Sequence, residues 1–82
     1  MSMNLHVRAG YDVVFPNGEK TKRYENFELW QTPTKVTREI LAQDNKLEAY
    51  IKWANDKRHE KEVREWVKYW EKRGVKIEWF EM

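Results

Sequence analysis

Apolar residues recur at every second position from Leu5 through Val7, Ala9, Tyr11, Val13 and Phe15, with His6, Arg8, Gly10 and Asp12 between them. Alternation of this kind predicts a half-buried β-strand, because successive side chains point to opposite faces of a sheet. Pro16-Asn17-Gly18-Glu19 follows. Asn-Gly is a strong hairpin signal because both residues accept positive φ. A second strand is expected from about Lys20 to Leu29, and its parity breaks between Tyr24 and Phe27, which implies a bulge or an early end.

The period then changes. Thr32-Pro33-Thr34 predicts a helix start with a hydroxyl cap, followed by Val36, Ile40 and Leu41 at helical spacing. A second helix, capped by Asp44 or Asn45, gathers Leu47, Tyr50, Ile51 and Ala54 on one face. A third helix over 57–73 gathers Val63, Trp66, Val67 and Trp70 at i, i+3, i+4 and i+7. The second and third stripes differ in phase by about half a turn at 100° per residue, so a break is expected at Asn55-Asp56. Gly74 supplies a positive-φ stop after Lys72-Arg73, whose charges suit a helix C-terminus. Val75, Ile77 and Trp79 alternate as a final strand. The expected fold class is α+β over one domain, 1–82. It has an N-terminal β-hairpin, two or three helices and a C-terminal strand, giving a three-stranded antiparallel sheet with helices packed on one face.

Composition changes this picture in two respects. Five tryptophans stand in 82 residues, four of them (Trp53, Trp66, Trp70 and Trp79) in the last thirty. Rings of that size are expected to supply much of a small core, with Trp66, Trp70 and Trp79 on buried faces and Trp30 covering one end. There is no cysteine, which excludes disulfides, thiolate metal sites and cysteine nucleophiles. No long apolar run predicts a membrane span, and Met1 to His6 has neither the basic start nor the apolar stretch of a signal peptide. A cytoplasmic location is expected.

Catalytic chemistry finds little support. His6 and His59 are the only histidines and Ser2 the only serine, which leaves no basis for a serine or cysteine triad. His59-Glu60-Lys61-Glu62-Val63 lacks the second histidine of a zinc-protease helix. His59 and Glu62, one turn apart, would be two metal ligands at most, and packing of His59 beside Val63 is the preferred reading. The glycines are isolated and form no phosphate loop, and Glu60 and Glu62 lie in a solvated charge run. Neither enzymatic activity nor a cofactor or metal site is expected.

Net charge is +2, and the excess falls on one segment: residues 57–73 carry seven bases against four acids. Lys57, Lys61, Arg64, Lys68 and Lys72 cluster within about 80° of one another on a helical wheel, away from the apolar stripe. Like charges at i, i+4 cost a few tenths of a kcal/mol each. An anionic partner would offset that repulsion. Trp53, about 60–160° from the apolar face of its helix, is either an anchor beside the ridge or buried on a second side of the helix. Tyr69 lies on the flank of its own stripe. The expectation is a small non-enzymatic binding protein that presents the ridge, Trp53 and Tyr69 to an acidic protein surface. Accessory or inhibitor proteins of phage and mobile elements often have this size and style. One alternative is a nucleic-acid-binding module using the 57–73 helix, although only Asn55 and Arg58 stand where base-reading residues belong. The other is a merely solvated charged face, since Glu60, Glu65 and Glu71 border the ridge.

Overall fold

A computed structural model describes residues 3–82. Its elements run β1 (Leu5–Val14), β2 (Lys20–Phe27), α1 (Thr34–Leu41), α2 (Lys46–Ala54), α3 (Lys57–Glu71) and β3 (Ile77–Glu81). The three strands form one antiparallel sheet of order β2-β1-β3, as the alternation predicts.

Register assigns the faces. Val7 lies opposite both Phe27 and Trp79, and Ala9 lies opposite Glu25 and Ile77, so these residues share one face. The helices cover that face, where Leu5, Ile40, Tyr50, Ile51, Val63 and Val67 form the buried cluster. His6, Arg8, Tyr24, Glu78 and Phe80 share the uncovered face. There the Arg8 guanidinium lies 4.0 Å from the Tyr24 ring centre and 5.0 Å from that of Phe80. Arg8 also pairs with Glu78 at 3.0 Å.

The hairpin differs from expectation in two details. Only Gly18 takes positive φ (87°), while Asn17 keeps negative φ and accepts the Glu19 N–H on its side chain. The Gly18 N–H closes the turn onto the Phe15 carbonyl, so Pro16 and Asn17 form the bend and Gly18 supplies the left-handed step. The β1–β2 register is unbroken from Val14↔Lys20 to Val7↔Phe27. The parity change therefore marks an early end of β2 at Phe27 and no bulge. The pattern that placed Val13 and Phe15 on a buried face continues beyond the helices that could cover it. Val14 and Phe15 are exposed at the tip, and Tyr11, stacked on Trp70 at 5.2 Å, is the last covered rung.

No threonine side chain caps α1. Thr34 and Thr32 instead accept the backbone N–H groups of Met3 and Leu5, each at 3.0 Å, and Thr37 donates to the Met3 carbonyl at 2.8 Å. These hydroxyls tie the start of β1 to the start of α1 and satisfy backbone groups on the edge of β1 that β2, ending at Phe27, does not reach. Asn45 caps α2 by accepting from the Glu48 N–H, and Asp56 caps α3 by accepting from the His59 N–H. Asn55 takes the left-handed conformation between them (φ 48°), which produces the expected break. Helix α3 ends two residues earlier than predicted. Gly74 (φ 72°) donates to the Glu71 carbonyl and Val75 to that of Trp70, a Schellman closure.

None of the five tryptophans belongs to the buried apolar core, which is filled by Leu5, Val7, Ala9, Ile40, Tyr50, Ile51, Val63 and Val67. Trp66 and Trp79 pack against that core from its edge, and Trp70 stacks on Tyr11. Indole is too large to be enclosed by so few neighbours, so the rings form a half-exposed shell.

Candidate partner-binding surface

The inward residues of α3 fix where its basic ridge points. His59, Val63 and Val67 are buried, so the opposite side of the helix faces solvent. Lys57, Lys61, Lys68 and Lys72 are all exposed there. They span about 22 Å at 1.5 Å per residue. Among the described residues no lysine takes part in an ion pair, and every pair uses arginine.

Arg64, the fifth predicted member, is half-buried and engaged. Its Nε donates to Glu60 at 2.9 Å, and its two Nη groups donate to the two carboxylate oxygens of Glu48 on α2. The Arg64 guanidinium beside Glu48 holds that carboxyl below its usual range. Glu48 and then Glu60 hold the Arg64 guanidinium charged even more firmly than usual. Arg64 therefore clamps α3 to α2, and the ridge available to a partner consists of four lysines. A shallow groove of about 440 Å³ runs along it, lined by Lys57, Glu60, Lys61, Arg64, Glu65 and Lys68.

Trp53 and Tyr69 do not join this surface. Trp53 is 36% exposed and lines a different groove, between α1 and α2, with Val36, Ile40 and Ala49. Tyr69 is 49% exposed and faces the opposite flank of α3, in a groove shared with Glu25 and Phe27 of β2. The predicted site is thus divided among three grooves, of which those of the ridge and of Tyr69 adjoin at Glu65. Sequence spacing located each residue on its own helix but carried no information about which neighbouring element lies beside it.

The sequence also left a buried polar chain unread. Tyr50, with no exposure, accepts the Trp30 N–H at 2.9 Å and meets His59 Nε2 at 2.7 Å. The phenol oxygen thus serves two partners at once, a backbone N–H of the linker and an imidazole of α3. The Trp30 ring stacks on His59 at 4.4 Å. Burial pushes the Tyr50 phenol above its ordinary pKa, partly opposed by the Trp30 hydrogen bond. A hydroxyl enclosed in this way offers no access to a substrate, so the chain braces the linker before α1 against α2 and α3. His59 Nε2 faces Tyr50, whereas Glu62 pairs with exposed Arg58 and lines the Tyr69 groove, so the two are not joint ligands. Among the described residues no group of three or more His, Cys, Asp or Glu could hold a metal ion, and no helix is long and apolar enough to cross a membrane.

No family model, curated protein or solved structure matches this chain.

Proposed function

We propose that this is a small non-enzymatic binding protein that docks the exposed lysine ridge of α3 on an acidic surface of a partner protein. One observation carries the reading: Lys57, Lys61, Lys68 and Lys72 lie on one exposed helix face without a carboxylate partner among the described residues, while the nearby glutamates Glu48 and Glu60 are engaged by Arg64. Like charges at i, i+4 are thereby kept together at a small cost in stability, which an anionic surface would offset.

A protein partner is favoured over nucleic acid because the net charge is only +2 and acids interleave with the bases along the same helix. Glu60 and Glu65 also line the ridge groove, and an acidic protein surface can set basic side chains against them where a uniformly anionic phosphate backbone cannot. Action by blocking a larger assembly, as accessory proteins of phage and mobile elements do, is consistent with this reading.

The test compares the natural chain with Lys61→Glu/Lys68→Glu, which leaves the Arg64 clamp in place. Immobilised protein should capture an acidic protein from lysate of the native host, and the double reversal should lose it. The purified pair should weaken as salt rises. Equal capture by both chains would falsify the proposal. Tight binding of DNA or RNA at low salt, lost in the same variant, would replace it with the nucleic-acid reading.

A further inference from the structure

We infer that the groove between β2 and α3 is a second binding site, shaped for a lysine or arginine side chain on a basic segment of a partner protein. The groove has a volume of about 710 Å³ and is lined by four aromatic rings, Phe27, Trp66, Tyr69 and Trp70, together with Glu25, Glu62 and Glu65. The rings form two contacting pairs. Phe27 and Trp66 meet at 5.6 Å, and Tyr69 meets Trp70 edge-on at 5.0 Å. Tyr11 backs Trp70 from below. These contacts set the four rings side by side along the groove.

The carboxylates decide the occupant. Glu25 and Glu65 have no ion-pair partner among the described residues, and Glu62 has only Arg58, 3.6 Å away and 92% exposed, a pairing that contributes little. An apolar helix laid over this groove would desolvate three carboxylates with nothing to compensate them, and a phosphate would be repelled. A cationic side chain satisfies both features, because its charge meets the glutamates and its flat or methylene portion lies on the rings. The protein already uses this chemistry internally: the Arg73 guanidinium lies 3.5 Å from the Tyr69 ring centre. The groove adjoins the lysine ridge on α3, and Glu65 lines both.

The probe is a fluorescein-labelled peptide with three arginines alternating with valine, followed by anisotropy at low salt. Binding should weaken about tenfold or more in Glu25→Lys/Glu65→Lys. It should change by less than about twofold in Glu19→Lys/Glu39→Lys, which makes the same change in net charge elsewhere. Tyr69→Ala should also weaken it, and the peptide with citrulline for arginine should not bind. The substituted carboxylates are exposed, and retention of the fold is checked by the melting temperature and by the indole NMR signals of Trp66 and Trp70. Lys61→Glu/Lys68→Glu should bind the peptide at least as tightly as the natural chain while losing the acidic partner, so this inference and the ridge proposal fail separately. Absence of binding at about 1 mM peptide, equal loss in the two double reversals, or equal binding of the citrulline peptide overturns the inference. So does self-association in sedimentation that disappears in Glu25→Lys/Glu65→Lys, which would make the ridge of a second copy the occupant.

Discussion

Tyr50 is the side chain on which the interior depends most. It is the largest fully buried residue, and its hydroxyl serves a backbone N–H and an imidazole at once. Tyr50→Phe keeps the ring and orphans both partners. Its expected cost is about 1–3 kcal/mol, measured by urea denaturation. The same hydroxyl sets an alkaline limit. Because the folded-state pKa is raised, the stability it contributes is complete below the ordinary tyrosine pKa of about 10 and is lost as pH rises from there through the folded value. Melts between neutral pH and the alkaline range should therefore fall more steeply for the natural chain than for Tyr50→Phe. The apolar spacing around Leu47, Ile51 and Ala54 shows that Tyr50 faces inward. Its partners are legible nowhere, since Trp30 and His59 lie 20 and 9 residues away and only tertiary packing brings them together. The threonines near 32–37 misled for a related reason: a hydroxyl before a helix reads as a cap, and these were instead recruited by β1 across 27 to 34 residues of chain.

At the scale of elements, periodicity was the dependable guide. The stripe Val63, Trp66, Val67, Trp70 located α3, and its phase mismatch with α2 located the break that Asn55 makes. Gly74 was legible as the stop, and its role predicts a cost. Gly74→Ala meets no atom within 4 Å, so the penalty is purely that of a side chain at positive φ, about 1–2 kcal/mol by thermal melting. The Arg64–Glu48 clamp was not legible, because the arginine belongs to the ridge by spacing and to α2 only by packing. Its acid dependence follows from the depressed Glu48 carboxyl. The stability it contributes is present above the ordinary carboxylate range and is lost as pH falls through the lowered value. The difference in melting temperature between the natural chain and Glu48→Gln should accordingly shrink on acidification from pH about 7 to about 3. A constant difference would show that Glu48 acts through packing alone.

For the whole molecule, the sequence was right about layers and wrong about what fills them. Sheet, helices and the covered face follow from alternation and helical spacing, yet the tryptophans that promised a core became its shell, because the enclosed positions accept only smaller side chains and one tyrosine. Lys61→Glu/Lys68→Glu should change unfolding free energy by less than about 0.5 kcal/mol, since both side chains are exposed and unpaired. A larger loss would mean that the ridge supports the fold. The order β2-β1-β3 has a kinetic consequence. The central strand gains its first neighbour from the adjacent hairpin and its second only from residues 77–81, with Arg8 and Glu78 meeting across 70 positions. Closing a loop of that length costs about 4 kcal/mol in chain entropy before any contact repays it. During synthesis or refolding, the β1 edge that pairs with β3 therefore stays open until residues 77–81 have been made, and the three helices between the strands shorten the search that closes it.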